Sequence, residues 1–425
     1  MYLLIIFSTF MALAIIGMPL AVAMGLTSFL FLCLDAGQPL AVQAQKIFAG
    51  VDSFPLMAIP FFVLAGGLMN GGGLTGRIIS FTNTFVGHKP GSLGRVAVLS
   101  NMFFGAISGS AVAATSALGS VLIPSMIKEK YPATLASALI AISSSLAPII
   151  PPSISMIMYG IVTGTSIKDL FLGGAVPGVL FGMVILFMIG RTAKKRNLPK
   201  YEKSTSQEKL DSLRRVIWAL MLPFIVFGGI LSGVFTVTES AAVTAIYAFI
   251  VGAFIHRELT SFRSIYAVFK DSAISVAVVM FLIAASSPYS YLLAINQIPA
   301  MVSAQVLAIT NDPYVILLLL NLIFLVIGMF METNSAIVIF MPIIYPLIKQ
   351  VGIDPVHFGV VVCFNLALGL VTPPFGLCLS MASKMAGASL MSCLKETLPY
   401  LGAGIGVLLL ITYIPDLILF IPRAF

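Results

Sequence analysis

Long apolar runs, separated by short polar or Gly/Pro-rich breaks, make up almost the whole chain. A membrane-spanning helix needs about 20 mostly apolar residues. The clearest runs approach or reach that length: Tyr2 to Gly17, Asp169 to Gly190, Ile217 to Leu231, Val315 to Met331 and Gly402 to Phe420. No soluble domain fits between the runs. The pattern therefore predicts an all-α polytopic membrane protein.

The first apolar run has two interpretations. It is followed by Ala21-Val22-Ala23, small residues of the kind found at signal-peptide cleavage sites. However, it lacks a basic start, and the chain passes directly into another apolar run, Met24 to Leu34. We therefore interpret it as an uncleaved first membrane segment.

Two stretches, Gly105 to Pro152 and Gly328 to Pro374, place polar residues inside apolar sequence. Backbone groups in hydrocarbon need hydrogen-bond partners, so a Gly/Ser-rich break at membrane depth is tolerated only where it is buried in protein or lines a cavity. Each stretch has a polar tip between short apolar segments, followed by a segment that breaks at Pro-Pro. This predicts a re-entrant helical hairpin and a Pro-broken helix in each.

The two stretches share one spacing. At a constant offset of 222 residues, Pro124, Pro151 and Pro152 correspond to Pro346, Pro373 and Pro374, Ser110 to Glu332, and Ser143 to Asn365. Gly and Pro are frequent in membrane helices in any case. However, the distances between tip, Pro and Pro-Pro are equal in the two stretches, which favours a transporter built from two structural repeats around a midplane site.

This organisation predicts a first repeat over 1–190, a linker over 191–215 and a second repeat over 216–425. Scaffold segments are expected at about 1–90 and 216–310, and a hairpin with its broken helix at about 91–165 and 313–387. An odd number of crossings in each half makes the repeats inverted, with both chain ends outside. Three amphipathic stretches are expected at the membrane surface: Ala41 to Phe54, Leu74 to Val86 and Phe262 to Phe269.

Charge is sparse and unevenly placed. Only 9% of residues are charged, and the net charge is +8, which by itself would be compatible with nucleic acid binding. The basic residues, however, are densest between Arg191 and Arg215, and the positive-inside rule places that segment in the cytoplasm. We therefore expect the lipid bilayer as a partner and no nucleic acid.

The sequence argues against enzymatic chemistry. The four cysteines, Cys33, Cys363, Cys378 and Cys393, lie in or beside apolar segments without C-x-x-C spacing and are expected to be buried. None of the three histidines lies in a tip or a break, and no phosphate-binding G-x-x-x-x-G-K-[ST] motif is present. We expect no transition metal, no cofactor other than a coupling ion, and no enzyme activity.

The polar tips and breaks are the candidate site. A broken helix offers N–H groups, which suit an anion, and C=O groups, which suit a small cation. The candidate substrate-binding residues are Ser108, Gly109, Ser110, Thr115, Asn334, Ser335 and Thr372. The candidate Na⁺ ligands are Ser108, Ser110, Ser143, Ser144, Ser145, Pro148, Glu332, Thr333, Asn334, Asn365, Gly369 and Thr372.

Two carboxylates have a structural alternative. Glu332 is the one carboxylate beside a tip, and an ionisable residue at membrane depth is a functional candidate. It could equally cap a helix, where an acidic residue near the N-terminus is favourable by about 0.3–1 kcal/mol. Glu239 is interpreted as a helix-start residue.

The chain resembles the large membrane subunit of tripartite ATP-independent periplasmic (TRAP) transporters over nearly its whole length. The motifs that carry the resemblance are Gly17-Met18-Pro19, GAISGSAVAATSALGSVLIPSM from Gly105, SSSLAPIIPPS from Ser143, FTVTESAAV from Phe235, GMFMETNSA from Gly328 and GLVTPPFG from Gly369. The resemblance implies a Na⁺-coupled elevator in the bacterial inner membrane. It also implies two partners, a small four-helix membrane subunit and a periplasmic substrate-binding protein.

The substrates implied by the resemblance are organic acids such as sialic acid, C4-dicarboxylates or sugar acids. Half-helix N-termini with hydroxyl groups also suit a carboxylate. Two alternatives remain open from the sequence: a stand-alone Na⁺/dicarboxylate symporter that needs no binding protein, and a passive channel.

Overall fold

The computed structural model describes residues 2–34 and 39–424, and all regular secondary structure within them is helical. The predicted burial of the Cys33 side chain falls outside the described part, whereas Cys363, Cys378 and Cys393 are buried and free. Nine helices of the described chain are long and apolar enough to cross a membrane. The predicted class, an all-α polytopic membrane protein, is confirmed.

Ten helices precede the basic linker, and a 3₁₀ turn at Phe54–Met57 leads into the fourth. They are α1 Tyr2–Ile15, α2 Leu20–Leu34, α3 Leu40–Val51, α4 Ala58–Gly71, α5 Leu74–Val86, α6 Ser92–Ser108, α7 Ala111–Lys128, α8 Ala133–Ser144, α9 Ile154–Thr163 and α10 Ile167–Arg196.

Ten further helices follow the linker, with a π-helical turn at Val251–Ile255. They are α11 Ser206–Leu231, α12 Val237–Ile250, α13 Phe262–Ile295, α14 Ile298–Ile309, α15 Pro313–Phe330, α16 Thr333–Val351, α17 Pro355–Gly369, α18 Leu377–Ala386, α19 Leu390–Tyr413 and α20 Asp416–Ala424.

Three details add to the sequence expectation or differ from it. The stretch Phe262 to Phe269 is not a separate surface helix, because it continues into α13 without a Gly or Pro break. The linker 191–215 is helical at both ends: α10 continues to Arg196, and α11 begins after Thr205, whose side chain forms a capping box with Glu208. The last apolar run is divided into α19 and α20 at Pro415, which has no N–H to continue a helix.

Helix starts recur at the spacing seen in the sequence. The N-caps Ser110 of α7 and Pro132 of α8 correspond at 222 residues to Glu332 of α16 and Asp354 of α17. Both Pro-Pro pairs are cis. After them, the starts of α9 and α10 correspond to the starts of α18 and α19 at an offset that is one residue longer than 222.

The two halves of the chain interlock. In the hairpin regions, α7 packs on α18 and α16 packs on α9, so each hairpin contacts the helix that follows the break of the other half. Elsewhere α4 packs on α12, and α2 and α3 pack on α13. One large apolar core holds the tips and breaks between helices of both halves. A second, smaller core joins the ends of α4 and α12 to α5 and α11.

Candidate functional site

The first hairpin turns at Gly109. This residue caps α6 with a left-handed backbone, φ +59°, which a residue with a side chain rarely adopts. A Cβ at Gly109 would lie 2.9 Å from the nitrogen of Ile154 and 2.9 Å from the oxygen of Pro152. The tip of the first hairpin therefore rests directly on the first Pro-Pro break.

The two serines of this tip differ in their surroundings. Ser110 is the N-cap of α7, and its Oγ accepts a hydrogen bond from the nitrogen of Ala113 at 3.4 Å. Ser108 ends α6, is 5% exposed, and its buried Oγ has no hydrogen-bond partner. A buried hydroxyl without a partner is uncommon in folded proteins. The Ser108 hydroxyl is therefore a candidate partner for an oxygen atom of the substrate or for a bound ion.

The first break ends α8 with three buried serines. The hydroxyls of Ser143 and Ser144 donate to the carbonyl of Ile140 at 3.1 and 2.8 Å, and Ser145 donates to Ile142 at 2.8 Å. Because each hydroxyl donates to its own helix, at least one lone pair of each hydroxyl oxygen remains available as an acceptor. Pro148 lies deeper in the break, where its carbonyl accepts from the Ser153 hydroxyl at 2.6 Å.

An asparagine that the sequence analysis missed holds this break against the first hairpin. The Nδ2 of Asn101, on α6, donates to Ser143 Oγ at 2.8 Å, and its Oδ1 accepts from Ser144 Oγ at 3.2 Å. Asn101 is fully buried. The only sequence signal for this role was a single asparagine in an apolar helix. Asn101 is far from Ser143 in the sequence, so nothing in the sequence linked these two residues.

The second hairpin turns at Glu332, the N-cap of α16. Its Oε2 accepts from the backbone nitrogens of Asn334 at 2.9 Å and Ser335 at 3.3 Å, and its Oε1 accepts from Asn334 Nδ2 at 2.9 Å. The capping interpretation of Glu332 is therefore confirmed. The capping box of Thr236 with Glu239 likewise confirms Glu239 as a helix-start residue of α12.

Thr333 follows in the same tip and resembles Ser108. It is 1% exposed, and its buried Oγ1 has no hydrogen-bond partner. Each hairpin tip thus carries one buried hydroxyl oxygen without a partner. Ser108 precedes the N-cap Ser110 and lies at the end of α6, whereas Thr333 follows the N-cap Glu332 and lies at the start of α16.

The second break is built around Asn365, on α17. Its Nδ2 donates to the backbone oxygen and the Oδ1 of Asn321 at 2.8 and 2.9 Å, whereas its own buried Oδ1 has no partner. Asn321, on α15, was also missed by the sequence analysis, and it donates to Thr412 Oγ1 at 3.0 Å. The arrangement parallels that of Asn101 with Ser143 in the first half.

The remaining candidates of the second break lie against the hairpin. Gly369, the last residue of α17, faces Gly328 so closely that a Cβ at Gly328 would lie 3.0 Å from the Gly369 Cα. Thr372 is buried, and its hydroxyl donates to Leu368 at 2.9 Å. As in the first half, the hairpin backbone and the broken helix are in direct contact.

Two contacts join the halves at this site. Ser155, on α9, donates through Oγ to Asn334 Oδ1 at 3.0 Å. On the other side Thr115, on α7, donates to its own helix at Ala111 and lies within hydrogen-bonding reach of Cys378, on α18. Asn334 in the second tip and Thr115 near the first tip therefore each contact the helix that follows the opposite break. The structure shows the sequence candidates as two tip-and-break groups connected in this way.

The ligand chemistry of these groups is that of hard oxygen donors. The described residues contain no group of three or more His, Cys, Asp or Glu side chains that could hold a metal ion. The tips and breaks offer hydroxyl, amide and carbonyl oxygens together with the Glu332 carboxylate. Such oxygens, with the unpaired Ser108, Thr333 and Asn365 atoms among them, suit an alkali cation in a transporter with broken helices.

Comparison with known proteins agrees with this architecture. The family described as "Tripartite ATP-independent periplasmic transporter, DctM component" matches residues 7–417. The crystal structure of the Alcanivorax borkumensis YdaH transporter has a similar fold, with a TM-score of 0.67 over 93% of this chain and 98% of that chain, at 14% sequence identity.

Relatives of the full chain include transporter subunits of three kinds. The chain is 40% identical to the 2,3-diketo-L-gulonate TRAP transporter large permease protein YiaN of Escherichia coli K12, over 95% of each chain. It is 37% identical to the sialic acid TRAP transporter large permease protein SiaM of Vibrio cholerae, over 96% of each. It is 35% identical to the C4-dicarboxylate TRAP transporter large permease protein DctM of Rhodobacter capsulatus, over 99% of this chain and 98% of that protein. The chain therefore belongs to the large permease subunits of TRAP transporters, as the resemblance predicted.

Proposed function

We propose that this subunit carries an organic acid into the cell across the bacterial inner membrane, driven by Na⁺. It does so together with a small four-helix membrane subunit and a periplasmic substrate-binding protein. The observation that carries the Na⁺ proposal is that the tips and breaks hold three buried side-chain oxygens without partners, Ser108 Oγ, Thr333 Oγ1 and Asn365 Oδ1. Leaving such a group unpaired costs about 1–3 kcal/mol, and a bound cation removes that cost.

The two tips differ in charge, which supports different ligands for them. At the second tip the Glu332 carboxylate already occupies the N-terminus of α16. At the first tip the neutral hydroxyl of Ser110 caps α7, so the positive end of that helix retains its attraction for an anion. We therefore assign the carboxylate of the substrate to the start of α7 in the first tip. Cation binding is assigned to the breaks, the second tip and Ser108 Oγ at the end of α6.

The substrate class rests on this geometry and on the relatives. Their names describe transport of diketogulonate, sialic acid and C4-dicarboxylates, all of which carry a carboxylate. Ser108, Gly109, Ser110, Thr115, Asn334, Ser335 and Thr372 are the residues we propose for recognition of the acid. An acid with further polar groups also matches the hydroxyl-rich surroundings of both tips.

We further propose that the two halves are inverted repeats and that transport is an elevator movement. The matching helix starts support the repeats, and the crossed packing of α7 on α18 and α16 on α9 supports a moving part that contains both hairpins and both breaks. The first hairpin contacts the remaining scaffold closely: a Cβ at Gly66, on α4, would lie 3.3 Å from Ser108 Cα. This contact must break when the hairpins move.

Reconstitution with the small subunit in proteoliposomes tests the proposed function. Radiolabelled sialic acid, a C4-dicarboxylate and a sugar acid are each offered with and without their binding protein, under an inward Na⁺ gradient or a proton gradient alone. Uptake of one acid that needs both Na⁺ and the binding protein supports the proposal. Uptake with Na⁺ alone supports the stand-alone symporter, and flux independent of any gradient supports the channel.

A further inference from the structure

A crevice outside the transport site opens on the linker side of the protein. It lies between α5, α11 and the segment that follows the π-helical turn, and it has a volume of about 590 Å³. Three arginines, one histidine and a tryptophan contribute to its walls: Arg77, Arg214, Arg215, His256 and Trp218. Such a group of cationic side chains is exceptional in a chain with only 9% charged residues.

The crevice lies where α11 passes from the basic linker into apolar sequence. Arg214 and Arg215 are the last charged residues of α11, and Val216 and Ile217 begin its apolar part. Trp218 follows one turn later, and its side chain is 40% exposed. Tryptophan prefers the boundary between lipid headgroups and hydrocarbon, so the arginines are at the level of the cytoplasmic headgroups.

The cations of the crevice are only partly neutralised. Arg77 is held by the Gly73 carbonyl at 2.7 Å and by Glu258 at 3.5 Å, and Arg214 lies 4.0 Å from Asp211. Arg215 is exposed and has no hydrogen bond or ion pair within the described chain. Three arginines against two carboxylates leave an excess of one positive charge.

His256 supplies a polar atom without a partner. Its Nε2 is buried and makes no hydrogen bond. Burial lowers the pKa of His256, and the neighbouring Arg77 lowers it further, whereas Glu258 acts in the opposite direction. A neutral imidazole can donate through Nε2, which gives the crevice a donor beside its free guanidinium group.

An apolar surface continues from the crevice along α11. Trp218, Met221 and Phe224 follow at helical spacing, and Phe224 is 70% exposed. A basic pocket at the headgroup level with an apolar wall beside it matches a phospholipid, because the phosphate of a phospholipid is anionic and its acyl chains are apolar. A free phosphate ion would use the basic part only.

We propose that this crevice binds the phosphate group of an anionic phospholipid, phosphatidylglycerol or cardiolipin, of the cytoplasmic leaflet. Arg215 and His256 contact the phosphate, Arg77 shapes the wall, and the acyl chains lie along Trp218, Met221 and Phe224. The site is separate from the tips and breaks, so it tethers the scaffold side of the protein to the membrane surface rather than taking part in substrate binding.

The test uses the full-length subunit, purified together with its small subunit and stripped of lipid. Binding of phosphatidylglycerol, cardiolipin and zwitterionic phosphatidylethanolamine is measured by native mass spectrometry, and inorganic phosphate is tested by its effect on thermal stability. The variants are R215Q, R214Q and the matched control R263Q, which removes another exposed arginine that does not line the crevice. None of these arginines belongs to the proposed transport site.

We expect the two anionic lipids to bind more tightly than phosphatidylethanolamine, and R215Q to weaken them by about five-fold, the usual effect of one basic residue at an anionic membrane surface. R214Q is expected to act in the same direction, and R263Q is expected to change nothing. The proposal is overturned if R263Q and R215Q weaken binding equally, since the attraction is then diffuse. It is also overturned if inorganic phosphate stabilises the protein and the lipids do not bind.

Discussion

The hydroxyl of Ser155 donates a 3.0 Å hydrogen bond to Oδ1 of Asn334, although the two residues are 179 positions apart in the chain. Ser155 belongs to the helix after the first break, and Asn334 belongs to the tip of the second hairpin, where its amide also donates to Glu332. The bond therefore joins the polar centre of one half to that of the other. It places the tip of the second hairpin beside the helix that follows the first break.

The first prediction concerns the strength of this bond. A double-mutant cycle of S155A and N334A should give a coupling free energy near 0.6 kcal/mol, the mean value for side-chain hydrogen bonds between membrane helices. The measurement is unfolding in mixed detergent micelles. S125A is the control, because the Ser125 hydroxyl is exposed and donates only to Val121 of its own helix. A coupling energy of zero would mean that the halves are held together without this bond.

The second prediction separates two effects at the first tip. G109A forces a side chain into a left-handed backbone, at about 1–2 kcal/mol, and also drives the new Cβ into the Pro152-Ile154 backbone. We expect it to abolish uptake. G164A also places a side chain on a left-handed backbone, φ +72°, but the new Cβ meets open space. Uptake by G164A should therefore persist.

A third variant completes this series. Gly406 lies inside α19 with open space around it and no positive φ, so G406A should leave uptake unchanged and slightly raise the melting temperature. Uptake and melting temperature are measured for all three variants. If G109A transports at the rate of G164A, close contact between tip and break is not required.

The third prediction distinguishes the two roles of Glu332. Ser110 occupies the corresponding N-cap of the first hairpin, so E332S retains a helix cap while removing the charge. We expect E332S to fold with a small change in melting temperature and to need a higher Na⁺ concentration for half-maximal uptake. Unchanged Na⁺ dependence in both E332S and E332Q would leave Glu332 with the capping role alone.

The fourth prediction concerns movement of the first hairpin. In a cysteine-free background, G66C/S108C places two Cβ atoms about 3.4 Å apart between α4 and α6, close to the separation found in disulfides. The reduced variant is expected to transport more slowly than the unmodified protein, because Ser108 belongs to the proposed site. Oxidation should stop this remaining uptake, and reduction should restore it to the level before oxidation. In the control pair G25C/A285C, the Cβ atoms of α2 and α13 lie 3.8 Å apart within the scaffold. Oxidised G25C/A285C should transport normally, and equal behaviour of the two pairs would contradict an elevator.

The sequence was informative where polar residues interrupt apolar runs. The tips at Ser110 and Glu332 and the three serines from Ser143 were identified in this way, since such interruptions need a structural reason in a membrane. Asn101 and Asn321 were missed because each is a single polar residue in a long apolar helix. Their separation of 220 residues also differs from the 222 of the other matches.

Tertiary packing accounts for the other differences. The bond of Ser155 with Asn334 depends on α9 crossing α16, which no local pattern reveals. The amphipathic stretch Phe262 to Phe269 was expected at the membrane surface, and it forms the first turns of α13, which continues to Ile295. The sequence therefore predicted the polar tips and breaks, which depend on local solvation. It did not predict the contacts between helices that are distant in the sequence.

The most direct test of the central claim is simultaneous measurement of Na⁺ and acid entry into proteoliposomes that contain this subunit and its small partner. Radioactive Na⁺ and the labelled acid are followed in the same vesicles, with the loaded binding protein outside. The account predicts that the acid and Na⁺ enter together in a fixed ratio, and that omission of the binding protein stops both. Acid entry without accompanying Na⁺ entry, or Na⁺ entry that continues unchanged without the acid, would contradict it.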